Sequence, residues 1–142
     1  MLTGFLNSAL WAYTDQITVK SDEAWQAAQE VLKPSGIDKL DPATKTIRTK
    51  WTHDRVVRKG KGVFKNIASV TMERRYRMTV HVIQRPFDTE IEVRGDFQER
   101  TMGVNQTSYT WTKVKTKSED FDLERATFMR ILNRLEIART NP

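Results

Sequence analysis

The sequence contains no cysteine, and this absence removes several kinds of chemistry at once. Without thiols the chain has no disulfide, no thiolate metal site and no cysteine nucleophile. The absence does not indicate a compartment, because a cysteine-free chain is compatible with the cytosol and with the periplasm alike. The compartment must therefore be inferred from other features.

Long apolar runs are also lacking. No stretch approaches the roughly 18 consecutive apolar residues that are typical of a transmembrane helix. The first residues, MLTGFLNSALW, lack the basic n-region and the continuous apolar h-region of a signal peptide. The sequence therefore predicts a protein without a transmembrane segment, which is either cytoplasmic or has lost a leader.

Residue patterns for catalysis or cofactor binding are scarce. The two histidines, His53 and His81, fall within predicted strands and have no partner at metal-ligand spacing. No GxGxxG or GxxxxGK[ST] motif is present. Glu90 and Glu92 share a strand face, but they continue into a ladder of charges rather than forming an acid/base pair. We therefore predict a protein that is not an enzyme and that binds no metal or cofactor.

Positive charge is concentrated in the middle of the chain. The 142 residues carry a net charge of +6, and residues 45–77 contain eleven basic and two acidic residues, or +9. Such a block attracts nucleic acid, acidic protein or anionic lipid, although it is also compatible with a solvated hairpin. The candidate interaction loop within it comprises Arg55, Arg58, Lys59, Lys61 and Lys65.

An amphipathic segment, residues 1–12, precedes the predicted domain. Its apolar residues recur at helical spacing: Leu2, Phe5, Leu6, Ala9 and Leu10. Three roles fit this segment: it covers the core, lies on a membrane surface or joins a partner helix. Residues 13–139 have the length of one domain, and the oligomeric state is left open.

A short helix is predicted after the first strand. The alternation from Tyr13 to Val19 predicts that strand, and Ser21 follows it as the expected N-cap. A narrow apolar stripe comes next, formed by Ala24, Trp25, Ala28, Val31 and Leu32. Pro34 and Gly36 are expected to end the helix.

Alternation also predicts the strands of the middle region. Residues 45–54 are expected to form one strand with Ile47, Thr49 and Trp51 on the same face. Residues 55–72 are expected to continue that strand and then to form a loop.

The clearest pattern is a hairpin over residues 74–98. If its apolar faces coincide and opposite charges pair, Val80 lies opposite Val93 and Arg77 lies opposite Asp96.

The end of the chain completes the predicted fold. Residues 106–116 are typical of a last strand, in which the facing of Trp111 is ambiguous. Ser118 is expected to cap a long helix, and its apolar face is assigned to Phe121, Arg125, Phe128, Leu132 and Leu135. The sequence predicts a single α+β domain: an antiparallel sheet of four to five strands, gripped by the C-terminal helix, with a second helix after the first strand.

A pocket between helix and sheet is the second candidate site, because a long helix over a curved sheet tends to leave a cavity. Its candidate lining is Trp25, Trp51, Tyr76, Met78, Phe97 and Phe128. Plain core packing is the alternative. The alternation places these aromatic rings inward, where they are poorly placed to stack on bases, and this weakens the nucleic-acid hypothesis.

The order of elements resembles the helix-grip domains of BamC-like outer-membrane lipoproteins. The likeness covers roughly Ile17 to Leu135, and its motifs are Trp25 in the helix, Gly36 after it, a strand ending in Thr49 and Trp51, and the alternating hairpin. The resemblance implies a periplasmic domain tethered to the outer membrane by an N-terminal lipid. It also implies a non-enzymatic accessory role in envelope or β-barrel assembly.

Three functional hypotheses follow. The first is an interaction module of the bacterial envelope, whose partner is another envelope protein or an anionic lipid surface. The second is a helix-grip carrier of an apolar ligand, and the third is a nucleic-acid binder that uses the basic block. A co-purified apolar ligand would favour the second, and retention on RNA with a steep salt dependence would favour the third.

Overall fold

Two helices pack against one face of an antiparallel sheet, so the fold class is α+β, as predicted. The computed structural model describes residues 13–59, 69–102, 110–114 and 118–140. The strands within these residues are β1 (Tyr13–Ile17), β2 (Ile37–Asp41), β3 (Thr46–Thr49), β4 (Thr52–Lys59), β5 (Ser69–Gln84), β6 (Thr89–Met102) and β7 (Thr112–Lys113). The helices are α1 (Ser21–Leu32), followed by a 3₁₀ turn (Lys33–Ser35), and α2 (Ser118–Thr140).

The long hairpin of β5 and β6 organises the sheet. The strand order is β1-β6-β5-β3-β2, while β4 pairs with the first half of β5 and β7 pairs with β6. With 16 and 14 residues, β5 and β6 are long enough to have a different outer neighbour at each end. The described sheet therefore has seven strands rather than four to five, several of them short.

The predicted register of the hairpin is confirmed. Val80 lies opposite Val93, and Arg77 lies opposite Asp96. This register places the apolar residues of both strands on the face that the helices cover. A shift by one residue would turn one of the two apolar sets toward the opposite face, so the register is fixed by burial.

The core lies between the helices and the sheet. Ala24 and Ala28 are fully buried on α1, and their small side chains let the helix approach the sheet closely. The buried apolar residues of the sheet are Ile47, Met78, Val80, Val82, Ile91, Val93 and Phe97. Those of α2 are Phe128, Ile131 and Leu135.

Two predictions about the helices are wrong in detail. Ser21 is not the N-cap of α1: that position belongs to Lys20, and the buried Ser21 donates its backbone N–H to Oε1 of Gln84 at 3.3 Å. On α2, Arg125 is exposed rather than part of the apolar face, while the neighbouring Glu124 is completely buried. Helix α2 begins at Ser118 itself, one residue earlier than a cap at this position predicts.

An irregularity separates β3 from β4 and overturns the predicted facing of Trp51. Arg48 pairs with Thr79 and Thr52 pairs with Tyr76, so four steps along this chain segment face three steps along β5. The extra residue reverses the alternation, as in a β-bulge. Thr49 stays on the buried face, where its Oγ1 accepts the backbone N–H of Met78 at 2.9 Å.

Three further strand boundaries differ from the prediction. β2 was not expected, because its sequence IDKLD has no regular alternation and its register with β3 is itself irregular. β5 begins at Ser69, so residues 69–72 form strand rather than loop. Of the predicted last strand, residues 110–114 are described, and among them only Thr112 and Lys113 form strand, as β7. Residues 1–12, 106–109 and 115–116, Lys61, Lys65 and the side chain of Phe121 lie outside the described part of the structure.

Candidate interaction surface on the outer face of the sheet

The predicted basic loop is largely strand where the structure describes it. The backbone of Arg55, Arg58 and Lys59 belongs to β4 and pairs with residues of β5. Their side chains lie outside the described part of the structure, as do Lys61 and Lys65 entirely. Some residues of the basic block do have described side chains. Among these, the ones that lie close together are arginines of β5.

Alternation along β5 places its arginines on both faces of the sheet. Tyr76 and Met78 face the helices, so Arg75 and Arg77 point to the opposite face, which we call the outer face. On the neighbouring strand, Arg100 lies opposite Glu73 on this same face. Three guanidinium groups therefore share the outer face at one end of the hairpin.

Two tryptophan rings lie between these guanidinium groups. The ring of Trp51 is 4.2 Å from Cζ of Arg77 and 4.2 Å from Cζ of Arg75, measured to the ring centroid. The ring of Trp111 is 4.3 Å from Cζ of Arg75 and 4.4 Å from Cζ of Arg100. The contacts thus alternate in the order Arg77, Trp51, Arg75, Trp111, Arg100. We call these five residues the Arg–Trp array.

The array depends on the bulge between β3 and β4. The bulge turns Trp51 to the outer face beside Arg77. Trp111 is the residue just before β7. The distances from each ring to its two cations fall within the range of cation–π interactions, each worth about 0.5–2 kcal/mol depending on desolvation. The stacking also orders the arginine side chains, which otherwise sample many rotamers.

The three arginines differ in their hydrogen-bond partners. Nε of Arg77 donates to Asp96 at 3.2 Å, and Nε of Arg100 donates to Glu73 at 2.7 Å. Nε of Arg75 donates to the neutral amide oxygen Oε1 of Gln98 at 2.7 Å. Arg75 is therefore the member of the array that has no carboxylate partner among the described residues.

The surroundings of Arg75 act on its charge. Desolvation by burial, followed by the positive charges of Arg77 and Arg100, lowers the pKa of Arg75 from its ordinary value. The guanidinium still carries its charge at neutral pH, because arginine is not deprotonated in proteins. The centre of the array is thus a half-buried cation that an approaching anion would stabilise.

An open cavity adjoins the array. It has a volume of about 440 Å³ and is lined by His53, Asp54, Glu73 and Arg100. His53 also packs edge-on against Trp111, with ring centroids 5.8 Å apart. The outer face therefore offers space beside the stacked arginines.

The residues of the predicted pocket occupy different places. Phe97 and Phe128 are buried in the core, and Trp25 is partly buried against it. Tyr76 and Met78 line a cavity of about 140 Å³ between the two helices and the sheet. Trp51 lies on the outer face, in contact with Arg75 and Arg77.

Sequence reasoning missed Arg75, Arg77, Arg100 and Trp111 as candidate site residues, although Arg75 and Arg77 belong to the basic block of residues 45–77. The facing of Trp111 was ambiguous, and Trp51 was expected on the inner face. The available signal was the alternation of β5, which places Arg75 and Arg77 on the face opposite to the helices.

Comparison with known proteins gives structural likenesses only. No protein-family model matches the chain, and no curated protein matches it. The fold is similar to that of a DUF4468 family protein from Bacteroides ovatus, with 15% sequence identity over 87% of this chain and 85% of that chain and a TM-score of 0.45. It is also similar to a TBP-like protein from Parabacteroides distasonis, with 13% identity over 88% of this chain and 92% of that chain and a TM-score of 0.47.

Proposed function

We propose that this chain is a non-enzymatic interaction module of the bacterial cell envelope, and that it binds an acidic partner protein through the outer face of its sheet. The observation that supports the binding role is the Arg–Trp array, in which Arg75 has no carboxylate partner among the described residues. Arginine and tryptophan are the residues that most often dominate the binding energy of protein interfaces.

The envelope setting rests on the resemblance to BamC-like lipoproteins. In that setting the domain is held on the periplasmic side of the outer membrane and assists assembly without catalysis. Within the described residues, neither helix has the length and apolar character needed to cross a bilayer. An anionic lipid surface is the alternative partner in the same compartment.

The contacts of the array favour an acidic protein over nucleic acid. Each tryptophan ring is already in contact with two guanidinium groups, which compete with bases for the ring faces. Arg77 and Arg100 are already paired with Asp96 and Glu73. Nucleic acid binding depends mainly on several unpaired cations of the protein that contact successive phosphates. One acidic side chain, by contrast, needs only one such cation.

The cavities lend less support to a carrier of an apolar ligand. The cavity between the helices and the sheet, at about 140 Å³, is smaller than the roughly 300–1,000 Å³ of typical ligand pockets. A groove of about 320 Å³ lies between β1 and α2, but its lining includes Asp15, Gln16 and Glu136 beside apolar residues. Neither space is an apolar chamber of the size that a lipid needs.

A binding titration tests the proposal. The full chain is titrated with a labelled glutamate-rich peptide, a glutamine-rich peptide of equal length, a single-stranded RNA and vesicles of anionic phospholipid. We expect the glutamate-rich peptide to bind about tenfold or more tightly than the glutamine-rich peptide, because a charge-assisted hydrogen bond contributes about 1.5–3 kcal/mol. Its affinity should fall as salt rises.

The other ligands supply the contradicting outcomes. Equal binding of the two peptides would show that the surface does not select acidic chains. Tighter binding of RNA would favour the nucleic-acid hypothesis, and tighter binding of the vesicles would favour a lipid surface as the partner.

A further inference from the structure

We infer that Arg75 is the receptor for one carboxylate group, supplied by a glutamate or aspartate side chain of the acidic partner. This assignment rests on the proposed function and specifies the group of the protein that binds the acidic partner. Three features of the described structure support it: the fixed orientation of the Arg75 guanidinium, its vacant hydrogen-bonding edge and the charges around it.

The orientation of Arg75 is fixed by three neighbours. Trp51 and Trp111 contact its guanidinium at 4.2 and 4.3 Å, and Gln98 accepts the hydrogen bond from Nε at 2.7 Å. A side chain held in this way loses little conformational entropy on binding, so more of the interaction energy appears as affinity. Arg75 is thus preorganised before a ligand arrives.

The two Nη atoms of the Arg75 guanidinium are available to a ligand. The contacts with Trp51 and Trp111 place Cζ of Arg75 over the two rings, and the hydrogen bond to Gln98 uses Nε. The two Nη atoms of Arg75 carry four further N–H groups, and no acceptor for them is found among the described residues. Two parallel N–H groups on this edge match the two oxygens of a carboxylate, which is the geometry of a bidentate pair.

The charges around Arg75 favour a group with a single negative charge. Desolvation, followed by the positive charges of Arg77 and Arg100, lowers the pKa of Arg75, so a nearby negative charge would stabilise its charged form. Asp96 and Glu73, however, already pair with those neighbours and would repel a second negative charge. A carboxylate therefore fits better than a phosphate dianion, whose extra charge would meet both acidic side chains.

The adjoining cavity gives room for the chain that carries the carboxylate. It is lined by His53, Asp54, Glu73 and Arg100, so it lies on the Arg100 side of the array. A short peptide segment lying across this space can present one acidic side chain to Arg75. The proposed ligand is therefore an acidic peptide segment rather than a free small anion.

Substitution of Arg75 tests the inference. We expect Arg75→Gln to weaken binding of the glutamate-rich peptide about tenfold or more, because it removes the charged donor edge. Arg75→Lys should give an intermediate loss, because lysine keeps the charge but lacks the planar fork. The control is Arg94→Gln, which removes the same charge from an exposed arginine that is paired with Glu92. This control should change the affinity by less than about twofold.

A second ligand tests the choice of carboxylate. A peptide with phosphoserine in place of glutamate should bind the wild-type chain more weakly, and tighter binding would contradict the carboxylate assignment. Far-UV circular dichroism of each variant monitors the fold, and Arg75→Lys preserves the charge if the glutamine variant is unstable.

The failures of the two proposals are distinguishable. If the wild-type chain prefers the glutamate-rich peptide but folded Arg75→Gln and Arg75→Lys bind it as the wild type does, the Arg75 assignment is wrong and the proposed function stands. If the wild-type chain shows no such preference, the proposed function itself is wrong.

Discussion

Replacing Glu124 by alanine is expected to lower the free energy of unfolding by about 3 kcal/mol. The side chain is completely buried on α2, and its Oε1 accepts the backbone N–H of Gly95 at 2.8 Å. The alanine variant leaves the partly buried N–H of Gly95 without its acceptor and leaves a cavity between helix and sheet. Urea unfolding followed by circular dichroism measures the loss.

Glu124→Gln is the matched control. The amide oxygen of glutamine can still accept the hydrogen bond from Gly95, so the expected loss is smaller, about 1 kcal/mol. If the alanine variant were as stable as the wild type, the carboxylate would contribute nothing to holding α2 on the sheet. The hydrogen bond from Gly95 would then be incidental.

Replacing Gly95 by alanine is expected to lower the free energy of unfolding by about 2–3 kcal/mol. A Cβ at this position would lie 2.4 Å from Cε2 and 2.7 Å from Cζ of Phe97, and 3.1 Å from Oε1 of Glu124. The ring of Phe97 is 1% exposed and packs against Tyr76, so it has little room to move. Calorimetric or urea unfolding of the variant measures the effect.

The double variant Gly95→Ala with Phe97→Leu tests the steric cause. Leucine lacks the ring atoms that the new Cβ would meet, so the two substitutions should be less destabilising together than the sum of the single effects, by about 1 kcal/mol. Simple additivity would mean that the alanine acts through Glu124 or through the backbone of β6 rather than through the ring.

The β5–β6 hairpin could be predicted because two independent signals agreed. Its apolar residues alternate along both strands, and its charges favour the register with Arg77 opposite Asp96 over the one with Arg77 opposite Arg94. The long C-terminal helix was predicted for a similar reason, since helical spacing and acidic residues near Ser118 both indicated its start. In both cases the element predicted from two agreeing local signals is present in the folded structure.

The position of Trp51 could not be predicted, because one extra residue reverses the facing of everything after it. Alternation from Ile47 places Trp51 inward, but the bulge before Thr52 turns it outward. Nothing in the local sequence marks the bulge with a glycine. The Arg–Trp array, which needs Trp51 on the same face as Arg75, was therefore hidden from sequence reasoning.

Glu124 was missed because a charged residue on a helix ordinarily faces solvent. Its burial depends on a partner in another element, the backbone N–H of Gly95. A signal existed on the strand, since a glycine inside an alternating strand often marks a close approach by another group. The sequence showed Gly95 on the inner face but not which group would approach it.

The most direct test of the central claim uses the indole N–H signals of the tryptophans in a ¹⁵N-labelled chain. Trp51 and Trp111 lie in the Arg–Trp array, whereas Trp25 lies on α1 against the core and serves as the internal reference. On addition of the glutamate-rich peptide, the signals of Trp51 and Trp111 should shift with a common saturation curve while that of Trp25 stays in place. A shift confined to Trp25, with Trp51 and Trp111 unchanged at saturation, would contradict binding at the outer face.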